Sequence, residues 1–140
     1  MAAAAGGPGS GPYEIANCNG DIIGRLLTET HDLAPKPVCA GTTDPHPIWD
    51  IRRLENGRYI LSNRGAPTAN IDDWLFALLQ HQEKRTEWEI LVVSEELFHI
   101  RDSATGKVWT VPPGERPVQI ALEFPQEGDT QQLFKLGVLE

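Results

Sequence analysis

Large apolar residues recur two apart along this chain, in two interleaved series. One series is Tyr13-Glu14-Ile15, Tyr59-Ile60-Leu61 and Phe98-His99-Ile100; the other is Trp49-Asp50-Ile51, Trp88-Glu89-Ile90 and Phe134-Lys135-Leu136. Ten positions separate Trp49 from Tyr59, ten separate Trp88 from Phe98, and steps within a series are 46 or 39. Side chains two apart share one face of a strand, so each triplet puts two large apolar groups on the same side. Three such units, none able to bury its apolar face alone, predict a closed all-β domain with internal three-fold repetition. The first and last residues of the six triplets are the expected core.

Alternation and turn chemistry together predict twelve strands. They are Tyr13–Cys18, Ile22–Thr28, Val38–Gly41, Ile48–Leu54, Arg58–Asn63, Thr68–Ile71, Leu75–Leu79, Glu87–Val93, Leu97–Asp102, Val108–Val111, Val118–Glu123 and Leu133–Val138. Asn19-Gly20 and Asn56-Gly57 are hairpin signals, because both residue types tolerate positive φ. Arg64-Gly65-Ala66-Pro67 and Ala104-Thr105-Gly106 mark further turns. The stretch from Ile71 to Arg85 also fits an amphipathic helix capped by Asn70. The three-fold pattern requires a strand near Phe76, so strand plus loop is the reading adopted.

The chain of 140 residues is the size of one domain. Residues 1–11 are low-complexity and expected to form a disordered tail, with residues 12–140 as the domain. The formal net charge of −8 disfavours nucleic acid as a partner. No apolar run approaches a membrane span and no signal peptide opens the chain, so cytoplasmic residence is the default, with signal-less secretion left open. Cys18 and Cys39 make neither a disulfide framework nor a metal knuckle and read as small hydrophobes. His31, His46, His81 and His99 share no catalytic or metal-binding context. Asp72-Asp73 and Glu95-Glu96 read as turn charges, and no phosphate loop or nucleophile elbow occurs. Neither catalysis nor a cofactor or metal is expected, and the protein is expected to be a monomer.

Taken in order, several short motifs carry a resemblance. They are Pro12-Tyr-Glu-Ile-Ala-Asn17, Gly24-Arg25-Leu26, Pro35-Lys36, Pro47-Ile-Trp-Asp-Ile51, Gly65-Ala-Pro-Thr68, Thr86-Glu-Trp-Glu-Ile90, Val108-Trp-Thr-Val-Pro112 and Val118-Gln-Ile-Ala121. With this order and spacing the chain resembles the mushroom β-trefoil serine protease inhibitors, which are related to the mycocypins. The resemblance implies a β-trefoil, with six strands closing a barrel and three hairpins capping one end. It also implies a target protease as partner, serine class first and cysteine class second, met by a rigid surface loop. A lectin-like trefoil is the alternative, with Trp74 and Trp109 as the aromatic platforms left outside the core.

In the family resembled, a basic residue between the second and third strands serves trypsin. The matching place here falls near His31-Asp32, and His is a poor anchor for an acidic pocket floor. Lys36 is basic, but Pro37 follows it and obstructs approach to the catalytic serine. Arg25 reads as a strand residue with a solvated head. Asn63-Arg64-Gly65 is either ordinary turn chemistry or an exposed pair of anchors, Asn63 for a legumain pocket and Arg64 for a basic-specific one. The mycocypin-like wedge would combine Asn19-Gly20 with Gly41–Pro47, which contains Asp44 and His46.

Overall fold

The computed structural model describes residues 7–139 and contains thirteen strands. In chain order they are β1 Gly11–Asn17, β2 Ile23–Arg25, β3 Lys36–Ala40, β4 Trp49–Arg53, β5 Tyr59–Asn63, β6 Ala66–Ile71 and β7 Trp74–Ala77. Then follow β8 Trp88–Ser94, β9 Leu97–Asp102, β10 Val108–Thr110, β11 Val118–Gln119, β12 Ala121–Glu123 and β13 Phe134–Val138. The described residues contain no α-helix, and the stretch open to a helical reading is β7 followed by a 3-10 turn at Gln82–Lys84.

The sheet closes on itself as a nine-strand barrel with extra strands attached. Because β8, one of the extra strands, bridges β5 and β9, a second and shorter closed circuit of antiparallel pairings runs β1–β4, β4–β5, β5–β8, β8–β9, β9–β13 and β13–β1. Of the strands outside this circuit, six form the hairpins β2–β3, β6–β7 and β10–β12, and the two-residue β11 precedes β12 and pairs with β3. These hairpins touch one another through β3–β7, β7–β12 and β11–β3.

The expected strand Val118–Glu123 is divided at Ile120. This residue is fully buried; its N–H donates to the Val38 carbonyl at 2.9 Å, and its carbonyl accepts from the Leu75 N–H at 3.0 Å. Its backbone therefore serves two neighbouring hairpins at once and leaves the local ladder.

Turn chemistry sets the hairpin registers. Arg64 and Gly65 join the paired residues Asn63 and Ala66, with φ of 51° and 79°. Asp72 and Asp73 do the same between Ile71 and Trp74, at 53° and 69°. Both are two-residue connections with positive φ at each position, whose twist matches the flanking strands. Gly65 supplies such a conformation without side-chain strain.

The triplets form the core as expected, except that Phe98 and Leu136 pack against its edge. Trp109 was expected outside it and is fully buried at its centre. Its ring lies 5.6 Å from Trp49, 5.7 Å from Trp88 and 5.8 Å from Phe134, the last two edge-on. That removes one of the two aromatic platforms on which a lectin-like reading depended; Trp74 remains 42% exposed.

The Trp49 indole N–H donates to the Ile23 carbonyl at 2.8 Å, and the Trp88 N–H to Thr68 Oγ1 at 2.9 Å. Each barrel tryptophan is thus tied to the hairpin of its own unit. In the third unit Phe134 has no donor, and Gln132 makes the tie through Nε2 to Thr110 Oγ1 at 3.2 Å.

Part of the expected tail is held in place. The first six residues lie outside the described region, but Gly11 already belongs to β1. The Tyr59 hydroxyl donates to the Pro8 carbonyl at 2.5 Å and the Tyr13 hydroxyl to that of Gly9 at 2.8 Å.

Two tests follow. Trp109→Ala should cost roughly 3–5 kcal/mol in urea unfolding, because it empties the centre of the aromatic cluster; a loss under about 1 kcal/mol would contradict this packing. Both cysteines are free, Cys39 buried and Cys18 partly so. Burial, with the Glu29 charge second, pushes the Cys39 thiol up to about 11. In the folded protein iodoacetamide should therefore label Cys18 and spare Cys39 until denaturant is added.

Candidate functional site

The loop of residues 26–35 joins β2 to β3. Leu27, Thr28 and Thr30 to Pro35 are exposed, whereas Glu29 turns inward. Beneath the loop lie two buried cations supplied by the strands on either side of it. Arg25, at the end of β2, donates from Nε and Nη2 to the two Glu29 carboxylate oxygens at 3.0 and 2.7 Å. Its Nη1 donates to the Asn63 carbonyl at 3.0 Å. The expected solvated head is instead a two-point, charge-assisted brace.

Lys36, the first residue of β3, is also buried. Its ammonium donates to the Thr30 carbonyl, to Thr30 Oγ1 and to Asp32 Oδ1 at 2.9, 2.8 and 2.7 Å. Every proton of the ammonium has a partner, so Lys36 holds the loop from below and is no anchor for a protease pocket. Asp32 also accepts from the Thr30 hydroxyl at 3.1 Å and from the Ala34 N–H at 3.2 Å, a local turn. His31 is exposed between these braces.

The β5–β6 turn supports the same loop. Asn63 is fully buried; its Oδ1 accepts from the Arg25 N–H at 3.5 Å and its Nδ2 donates to the Ile48 carbonyl at 3.4 Å. Burial removes it as a legumain anchor. The Arg64 side chain is a third exposed and is also committed: Nη2 donates to the Leu26 carbonyl at 2.5 Å and lies 3.6 Å from Glu29. Its Nε lies 3.7 Å from Asp44. Arg64 is thus exposed as expected, with its guanidinium turned onto the Leu26 carbonyl and the two carboxylates.

The β3–β4 loop, residues 41–48, forms the third side. Thr42 Oγ1 donates to the Arg25 carbonyl at 2.5 Å, and Thr43 Oγ1 accepts from the Leu27 N–H at 3.0 Å. Asp44 accepts from the His46 N–H at 2.9 Å, leaving the His46 side chain outside. Gly41 has φ of 77°, and a Cβ there would come within 2.8 Å of the Arg116 side chain, so this corner admits only glycine without rearrangement.

Asn19 and Gly20 are exposed in a turn organised by Asn17, whose Oδ1 accepts from the Asn19 and Asp21 N–H groups at 3.1 and 2.8 Å. No hydrogen bond or ion pair among the described residues ties Asn19 or Gly20 to the 26–35 loop. The structure thus brings Asp32, Lys36, Asn63, Arg64 and Asp44 into one group beneath or beside that loop. Sequence reasoning missed Glu29, the acid that accepts both arginines. Its signal was the spacing of four from Arg25, as Asp32 is spaced four from Lys36.

Comparison with known proteins now fits this geometry. The chain matches the model of the Peptidase inhibitor I66 family over residues 9–136. It belongs to that family. This peptidase inhibitor is 42% identical over 140 residues to a "Serine protease inhibitor" of Lentinula edodes, covering 94% of this chain and 98% of the relative. A solved proteinase inhibitor from Coprinopsis cinerea superposes with a TM-score of 0.85 at 25% identity, covering 95% of this chain and all of that one. The designed 3-fold symmetric protein ThreeFoil gives 0.72 at 15% identity, covering 91% of this chain and 99% of the design; that likeness concerns fold alone. Family membership makes this chain an inhibitor rather than an enzyme, with a peptidase as its partner.

The Lys36 ammonium, followed by the Ala34 N–H and the Thr30 hydroxyl, holds the Asp32 carboxyl below its ordinary value of 3.8. A depressed carboxylate contributes stability above 3.8 and loses it as pH falls through the lower folded value. Carboxyl-carbon NMR should therefore show the Asp32 midpoint below 3.8, with Lys36→Met moving it back up. A wild-type midpoint at or above 3.8 would mean the Lys36 brace is absent in solution.

Proposed function

We propose that the inhibitor acts on serine proteases, inserting its 26–35 loop into the active-site cleft in place of substrate. The observation that carries this is the support of the loop. Its exposed residues ride on Glu29, fixed by Arg25 and Arg64, and on Asp32, fixed by Lys36. A loop that is already ordered loses little conformational entropy on binding, which is what a tight inhibitor needs. The serine class follows the name of the Lentinula edodes relative.

The framework behind the loop reads as a β-trefoil. A ring of six strands, three hairpins in mutual contact and the recurring triplets support that reading. The likeness to a designed three-fold protein agrees with it. The inhibitor would act as a monomer, one loop to one protease.

Titrating purified protein against trypsin, chymotrypsin and subtilisin tests the function. Residual activity of at least one enzyme should fall in proportion to inhibitor added and reach its floor near one equivalent. A folded preparation that leaves all three enzymes untouched at high excess would defeat the serine-protease reading.

A further inference from the structure

The 26–35 loop offers eight exposed residues, Leu27, Thr28 and Thr30 to Pro35. Protease–inhibitor complexes of ordinary size use about 20–30 residues a side. More than half of such an interface must therefore come from surface beside the loop. On one flank, side chains of the 41–48 connection are turned onto the loop itself. Thr42 and Thr43 hold the Arg25 carbonyl and the Leu27 N–H, and Asp44 faces Arg64. That flank is polar and serves as a brace.

On the other flank lies a hollow of about 530 Å³. Leu33, Ala34 and Pro35 of the loop form one wall, and Ala69, Ile71 and Leu78 supply the rest of its apolar lining. Leu33 is 57% exposed, whereas Ala69 and Leu78 are buried. The hollow is built before any partner arrives, because β7 lies between the strand that leaves the loop and the strand that carries Ala69 and Ile71. Lys36 and Pro37 pair with Ala77 and Phe76, while Ala69 and Ile71 pair with Phe76 and Trp74. The Leu78 N–H donates to the Pro67 carbonyl at 2.8 Å, and Gln82 Nε2 donates to the Leu78 carbonyl at 3.1 Å. The exposed Asp72, His81 and Lys84 complete the lining with polar groups. A rigid apolar concavity with a polar border is the form that takes a large anchoring side chain from a partner.

We propose that this hollow is a second contact for the target protease: while the 26–35 loop occupies the active-site cleft, the hollow receives a large apolar side chain from the rim of that cleft. The loop supplies one wall of the hollow, so a protease that takes in the loop brings the edge of its cleft to that wall. This rests on the reading that the 26–35 loop is the inhibitory one. Preference among proteases is then set in part by a rim residue outside the specificity pocket.

The test uses whichever of trypsin, chymotrypsin and subtilisin the protein inhibits most tightly. Methyl NMR of the inhibitor, free and saturated with that enzyme, follows Leu27 for the loop and Ile71 and Leu78 for the hollow. All three residues should shift. Ile71→Asp, which places a charge in the hollow, should weaken inhibition roughly 30-fold or more, as loss of an anchoring contact does. Ile48→Asp, at an exposed isoleucine on the other flank, should stay within about threefold of wild type. Thermal unfolding checks both variants, and the methyl shifts of wild type decide the matter should Ile71→Asp fail to fold. A shift of Leu27 without Ile71 and Leu78 would overturn the hollow and leave the loop reading intact. So would a folded Ile71→Asp that inhibits like wild type, or equal losses in the two variants. A shift of Ile71 and Leu78 without Leu27 would overturn the loop reading, and this inference with it. Shifts at none of the three residues, or inhibition of none of the three enzymes, would overturn both.

Discussion

Everything in this molecule leans on the contact of Trp109 with Trp49, Trp88 and Phe134. One residue of each barrel unit reaches the same central ring, which comes from the third hairpin. Tilted and edge-on aromatic contacts at these separations are attractive beyond the area they bury. They also have shape, so they fix how the hairpins sit on the barrel. Two of the barrel residues spend their indole N–H groups on their own hairpins, at Ile23 and Thr68. The third hairpin has no such donor from Phe134; it gives the central ring instead, and Gln132 supplies its polar tie. Broken symmetry here is what fills the middle.

The same principle, a buried group satisfied by loop atoms, governs the 26–35 loop. Arg25 and Lys36 stand at the two strand ends from which the loop springs, and each is paired four residues away, with Glu29 and Asp32. Isolated surface pairs of this spacing contribute little. Buried cations differ, because an unpaired charge out of water is costly and the loop must fold back to supply its partners. The cost of burying charge is thereby converted into a fixed loop conformation. Asn63 and Arg64 extend the arrangement to a third segment, so the loop is held by the barrel and by a neighbouring turn together.

Much of the framework could be read from the residues. Period-two triplets located the barrel strands, and the Asn-Gly and Asp-Asp pairs located turns, because strand alternation and positive φ are local properties. What the residues hid were facts decided by other parts of the chain. Trp109-Thr110-Val111 has the same aromatic–x–aliphatic form as the six triplets, but it lies outside both spaced series, so its place at the centre was not read from them. Lys36 and Arg25 are of a type that is usually exposed, and only the folded loop shows the oxygens that bury them. Asn63 ends its strand where expected but points inward, because its amide is claimed by the Arg25 N–H and the Ile48 carbonyl from other segments. Glu29 carried a local signal in its spacing of four from Arg25, but its second cation, Arg64, comes beside it only in the folded chain.

The ring pairs β1 with β13, from Tyr13 against Val138 to Asn17 against Phe134. First and last strands must therefore meet before the barrel exists. Contacts this distant along the chain are slow to form, because a long stretch must lose its freedom before any reward arrives. The ionic braces of the loop all come from residues between Arg25 and Arg64, yet the sheet that carries them is closed only when β13 joins β1. The 26–35 loop therefore has a rigid wall behind it only once β13 has paired with β1. Until then, that exposed segment has the character of the loop tips that proteases cut.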